Sequence, residues 1–192
     1  MRKKGFTIVE VSILFIIFLI VAFLVAPLSM DDTRQAKNTS RWRNVQSDFV
    51  NLSYYINTER EQNKTEFNEA FLKVLENEIK NDTENYRVTY MNGIVPVGTY
   101  KFQDFKNTNA NATLAVKLFE NTNEKRGMLL YDVNGKTGPN VWGKDVFGMD
   151  IYEDRFEPFC TTEIINKQKF DCSKNGTGIC CSSYYLIGGN FD

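Results

Sequence analysis

The apolar positions fall into two regimes. Over residues 11–28 they form an almost unbroken run, interrupted only by Ser12 and Pro27. Carried back to Phe6, the run is 23 residues, about 35 Å of helix at ~1.5 Å per residue, against a hydrocarbon core of ~30 Å. The pattern predicts a membrane-spanning helix over residues 6–28. After Leu28 the chain turns polar at Ser29-Met30-Asp31-Asp32. Then Trp42, Val45, Phe49, Leu52 and Ile56 recur at spacings of 3 and 4, one apolar stripe on an amphipathic helix. The membrane helix is expected to continue as this second half and to pack on a sheet. Phe67, Phe71, Leu75 and Ile79, with Leu72 beside them, predict another helix that ends before Asn81-Asp82.

Farther on the texture changes to short strands, predicted over residues 86–91, 99–105, 113–119 and 128–133. Turns are marked by Asn92-Gly93 and by the Asn-rich stretches 107–111 and 121–124. The apolar runs 146–152, 159–165, 167–172 and 179–187 are read as further strands. One long N-terminal helix followed by an antiparallel sheet is an α+β domain. No internal repeat or low-complexity linker divides it.

Charge narrows the functions open to such a chain. The 23 Lys+Arg nearly balance 24 Asp+Glu, so no global field favours nucleic acid. There is no histidine, which removes Ser-His-Asp and Cys-His catalysis and His-ligated zinc. With no paired-carboxylate motif either, an enzyme is not expected. The few charges at the N-terminus matter more: Arg2, Lys3 and Lys4 precede the apolar run, and the positive-inside bias then places the rest of the chain outside the cytoplasm. A secretory signal peptide would need a small-residue cleavage site after the run, and Val25-Ala26-Pro27-Leu28-Ser29 offers a poor one.

The small residue lies instead before the run. Lys4-Gly5-Phe6-Thr7-Ile8-Val9-Glu10-Val11 joins a basic leader, a glycine, a phenylalanine and a glutamate four residues later. This arrangement resembles the N-terminus of type IV prepilins and of the pseudopilins of type II secretion systems. The resemblance implies a type IV pilin-like fold, in which a long N-terminal helix, membrane half plus amphipathic half, packs on an antiparallel sheet with a disulfide-bonded C-terminal loop. It further implies a leader of residues 1–5, a polymerisation helix over 6–28 and an extracytoplasmic domain over 29–192. A prepilin peptidase would cut between Gly5 and Phe6, and the new amino group of Phe6 would be methylated. Loss of three basic residues leaves 20 against 24 acidic ones, a net charge of −4. The implied partners are other pilin subunits, the peptidase and an inner-membrane assembly platform. No nucleic acid is expected among them.

A carboxylate inside an apolar helix costs about 2.5–3.5 kcal/mol on insertion scales unless paired. Glu10 is therefore expected to pair with the Phe6 amine of a neighbouring subunit, a cation near neutral pH, so that the pair fixes the register of assembly. The alternative is an interfacial glutamate at a helix end. Pro27 removes one helical hydrogen bond, which predicts a kink or local unwinding around residues 23–27.

Residues 132–147 carry the richest loop chemistry. Asp132-Val-Asn134-Gly135 is a turn signature, and Asp132, Asn134 and Asp145 are also hard oxygen donors of the kind calcium takes. Both readings stand, a turn scaffold pinned by Trp142 and Phe147 or a calcium site without full EF-hand spacing. All four cysteines, Cys160, Cys172, Cys180 and Cys181, lie in the last 33 residues. Outside the cytoplasm disulfides are the default. A bond between the adjacent Cys180 and Cys181 would be strained, so these two are expected to bond separately to Cys160 and Cys172, in either order.

Six sequons, at Asn38, Asn51, Asn63, Asn81, Asn111 and Asn175, are what an Asn-, Ser- and Thr-rich chain produces by chance. Lys167, Lys169, Phe170, Lys174, Tyr184 and Tyr185 form a basic-aromatic tail, read as a solvated hairpin face or as a contact for nucleic acid or glycan. The leading functional expectation is a structural subunit of a type IV pilus or a secretion pseudopilus. The alternatives are a minor pilin at a filament tip that binds DNA, a surface or a secreted substrate, and, remotely, a membrane-anchored enzyme.

Overall fold

A computed structural model describes residues 8–105, 112–120 and 124–190, with the backbone only for 8–10, 22–31, 81–82 and 105. The elements run α1 (Ile8–Asn63), α2 (Phe67–Glu78), β1 (Ile79–Tyr86), β2 (Tyr100–Phe105), β3 (Thr113–Leu118), β4 (Lys125–Asp132), β5 (Val146–Tyr152), β6 (Phe156–Pro158), α3 (Ile165–Asp171) and α4 (Cys181–Tyr184). Two compact units divide the chain, Met1–Lys37 and Asn38–Asp192.

The architecture is α+β, with one six-stranded sheet in which each strand pairs antiparallel with the next. The expected membrane half of the pilin-like helix is corrected. Among the described residues no helix is long and apolar enough to cross a membrane. Helix α1 continues through residues 23–27, so the expected unwinding before Pro27 does not occur. The Pro27 side chain lies outside the described residues.

Within the Asn38–Asp192 unit, the amphipathic stripe does what its spacing implies. Trp42, Val45, Phe49, Leu52 and Ile56 are all buried and form one core with Phe67, Phe71 and Leu75 of α2 and with Leu114, Leu129, Tyr131, Phe147 and Met149 of the sheet. At about 1.5–3 kcal/mol for each fully buried large side chain, the five stripe residues alone contribute on the order of 10 kcal/mol, an upper figure because unfolded chains are partly compact. Trp42 stacks on Phe147, with centroids 4.8 Å apart and planes at 12°. The other sheet face holds a second cluster of Val88, Phe102, Ala115, Leu130, Trp142 and Val146. Gly148 lets the Phe159 ring lie flat on this face, since a Cβ there would collide with the ring.

Four strand expectations fail, for two identifiable reasons. The strand expected over 86–91 begins earlier, as β1, in the polar sequence Ile79-Lys-Asn-Asp-Thr-Glu-Asn-Tyr86. As an edge strand it pairs through its backbone with β2, with a register shift between Ile79 and Thr83, so side-chain alternation is not required of it. The runs 159–165, 167–172 and 179–187 become turns plus α3 and α4. Short apolar runs do not distinguish strand from helix, and cross-links stand in here for the sheet ladder.

Candidate functional site

Gly5 and Phe6, the expected cleavage site, and the side chain of Glu10 lie outside the described residues. What the structure describes of the expected assembly segment is its apolar surface. In the Met1–Lys37 unit, Val11, every residue from Ile13 to Ile20, and Val21 are exposed large hydrophobics. Contiguous apolar surface of that kind marks an interaction site.

The four cysteines form two disulfides, Cys160–Cys180 and Cys172–Cys181. The order left open by the sequence is thus decided, and the two loops interleave. Around them the backbone is closely tied. Asp171 accepts from the Thr177 amide and hydroxyl through Oδ1 and from the Cys180 amide through Oδ2, at 2.7–2.8 Å. Tyr184 and Tyr185 are buried, so the basic-aromatic tail is not a single solvated face: its tyrosines belong to the core. Asn38 is likewise buried and donates to the Lys144 carbonyl at 3.1 Å, which removes its sequon from the accessible surface.

Asp132, Asn134 and Asp145 are brought together as expected. Asp132 ends β4 and Asp145 immediately precedes β5, and the Val133 amide donates to the Asp145 carbonyl at 2.9 Å. Both carboxylates are fully buried, and each oxygen has a donor. Asp132 Oδ1 accepts from the Asn134 amide at 3.1 Å and Oδ2 from the Tyr86 hydroxyl at 2.9 Å. Asp145 accepts from the Asn140 and Val141 amides. Two of the donors in this loop depend on unusual backbone, with φ of +51° at Asn140 and +65° at Gly135.

Burial pushes Asp132 up to about 8, with the charge of Asp145 adding to it, and burial pushes Asp145 up to about 6. The Tyr86 hydroxyl is raised too, by burial and then by Asp132. At neutral pH Asp132 is therefore mostly protonated. Among the described residues no group of three or more His, Cys, Asp or Glu side chains could hold a metal ion. With its oxygens committed to the chain's own donors, the pair works as a lock on the turn between β4 and β5.

Sequence reasoning missed the partner of that lock. Tyr86, which also shares a 2.6 Å hydrogen bond with the Thr113 hydroxyl, comes from β1, and nothing in its local sequence marks it. No family model matches this chain, and neither a curated protein nor a solved structure matches it.

Proposed function

We propose that the chain is a structural subunit of a type IV pilus-like or secretion pseudopilus-like filament. It would be cut between Gly5 and Phe6 by a prepilin peptidase and delivered to an inner-membrane assembly platform. It then polymerises with other pilin-type subunits through its N-terminal helix. The observation that carries this reading is the run of exposed apolar side chains over residues 11–21. A helix hydrophobic all round is stable in water only when covered, and identical helices from neighbouring copies would cover it. Directly before it stands Gly5-Phe6 with Glu10, a carboxylate that a neighbour's Phe6 amine can neutralise.

The two disulfides support a body that folds in an oxidising compartment, outside the cytoplasm. No catalytic role is assigned: the chain has no histidine, and its buried carboxylates are engaged in holding a turn.

Intact-mass and N-terminal peptide analysis of the protein from its native cells tests the reading. The expected species lacks residues 1–5, carries one methyl group on Phe6 and is recovered with sheared surface filaments or with an assembled periplasmic fibre. A mature chain beginning at Met1, or cleaved near Ser29, would overturn it. In Glu10→Leu the yield of filament should fall while the folded body stays intact. Filament yield unchanged from wild type would remove the pairing argument.

A further inference from the structure

We propose that the sheet face carrying the second apolar cluster pairs with the same face of a second copy of this chain, each copy placing the loop tip Ile94-Val95-Pro96-Val97 in the other's groove. The tip lies in the connection between β1 and β2. Ile94, Val95 and Val97 are exposed large hydrophobics, and Val97, at 107%, is as open as in an extended peptide. Loop tips are ordinarily polar, yet residues 88–100 carry no charged side chain. The tip is also fixed. The Tyr90 amide donates to the Ile94 carbonyl at 2.9 Å, the Gly93 amide to the Tyr90 carbonyl at 2.9 Å, and the Ile94 amide to Asn92 Oδ1 at 3.1 Å. Just before it, the Met91 and Asn92 amides donate to the Thr177 and Gly176 carbonyls at 2.9 and 3.0 Å. These bonds hold the apolar side chains away from the body that carries them, so cover for them comes from outside the chain.

Beside the tip lies a groove of matching chemistry. Thr99 and Tyr100, directly after Gly98, line a cavity of about 420 Å³ whose other walls include Met128, Leu130, Trp142, Phe159 and Ile179. Tyr100 shares a sheet face with Phe102, and Met128 shares it with Leu130, since alternate residues of a strand point the same way. Phe102 and Leu130 belong to the second cluster, on the side opposite the α1 stripe. Met128, Phe159 and Ile179 are half-buried and Tyr100 is 37% exposed, so these walls are open to solvent. Lys117, opposite Met128 on the same face, would meet no like charge from an incoming tip.

A projection and a groove side by side on one face form a self-complementary patch. A two-fold axis places each tip in the other copy's groove, so both contacts form at once. One short tip falls well below the roughly 20–30 residues that a stable interface takes from each side, and the two-fold engages the tip and groove of both copies together. A foreign partner would need a projection and a groove of its own, each matched to these, whereas a second copy carries both. Every residue involved belongs to the Asn38–Asp192 unit, so the inference stands apart from the filament reading.

The test uses the full-length chain in its native cells, with the photo-cross-linker p-benzoyl-phenylalanine in place of the exposed Val97. Irradiation is expected to give a band of twice the subunit mass on a denaturing gel, with no ladder above it. Its cross-linked peptides should join position 97 to Met128 or Phe159. Ile94→Asp in the same chain carries an unpaired carboxylate into the apolar groove and should lower that yield at least about tenfold. Because Ile94 is exposed, the melting temperature should stay that of the parent. Met128→Glu, on the groove side, should lower the yield by a similar factor. The apolar helix over residues 11–21 can also bring copies together, but that association does not join position 97 to β4. A link from position 97 to the groove within a single chain would make the tip a lid on its own groove, and a ladder would make the contact head-to-tail. Either result overturns the proposal, as does a link to another protein, no link at all, or an unchanged yield in Ile94→Asp.

Discussion

The indole Nε1 of Trp42 donates to the main-chain carbonyl of Ser182 at 2.9 Å, joining residues 140 positions apart. The hydroxyl of the same serine accepts from the Gly148 amide at 2.9 Å. One residue of α4 therefore ties the amphipathic half of α1 to the central part of β5. Arg43 extends the clamp: its Nε reaches the Tyr185 carbonyl at 2.8 Å and its guanidinium the Gly189 carbonyl at 3.0 Å. The C-terminal segment is held by the helix at which the compact body begins as well as by its own disulfides.

Trp42→Phe isolates the value of that bond. The ring still stacks on Phe147, but the buried Ser182 carbonyl loses its donor, at a cost of about 1–3 kcal/mol, with a further loss from the smaller ring. Urea unfolding of the full-length chain should show a lower midpoint with an unchanged slope. A loss below about 0.5 kcal/mol would mean that the carbonyl finds water instead.

The interleaved disulfides should be recoverable as Cys160–Cys180 and Cys172–Cys181 by peptide mapping without reduction. In the chain-entropy account, closing loops of 20 and 9 residues of separation is worth about 3 kcal/mol each, less for the second once the first is made. Reduction should lower the melting temperature by many degrees. Free thiols in the unreduced protein, or the opposite pairing, would contradict the arrangement.

Gly143 and Gly93 form a controlled pair. Both have positive φ, +76° and +84°, so alanine is strained at either, by about 1–2 kcal/mol. At Gly93 a new Cβ meets open space, whereas at Gly143 it meets Cys181 Sγ and the Gly178 carbonyl. Gly143→Ala should therefore cost at least about 1 kcal/mol more than Gly93→Ala. Equal losses in denaturant titrations would mean that the loop around Cys172–Cys181 gives way easily.

These contacts also show which parts of the molecule the sequence makes legible. Spacing alone identifies the stripe Trp42, Val45, Phe49, Leu52 and Ile56, because helical periodicity is a local property. It also places β3 and β5 nearly to the residue, since apolar strands between Asn- and Gly-rich turns have few other readings. It misplaces β1, a polar edge strand without regular side-chain alternation that pairs through its backbone with β2. The last 33 residues are misread as strands because two covalent links and the Asp171 hydrogen bonds set their course. The disulfide order and the Tyr86–Asp132 bond both depend on residues far apart in sequence. Periodicity carries no information on such meetings.

The buried pair Asp132 and Asp145 gives a sign that separates the two readings of its loop. With Asp132 pushed up to about 8 and Asp145 to about 6, the folded chain holds protons that the unfolded chain, titrating near ~4, has lost. Their contribution is full below about pH 4 and is lost as pH rises through the folded values. Stability should thus fall between about pH 4 and 8, by up to ~1.4 kcal/mol per pH unit for each proton retained. Asp132→Asn keeps one acceptor for the donors of Tyr86 and Asn134 while removing the titration. It should be less stable near pH 5, where the native carboxyl is neutral, and should lose the decline between about pH 6 and 8. Calcium demands the opposite state, because a cation binds the ionised carboxylates and draws both values down. Were it bound, both carboxyls would be ionised in the folded chain as they are in the unfolded chain above about pH 5, so stability would run flat over most of the same window, and chelation would restore the fall. For a turn lock, melts of the full-length chain near pH 5, 7 and 9 should decline alike with millimolar calcium and with chelator. A decline that vanishes with calcium and returns with chelator would assign the loop to the metal.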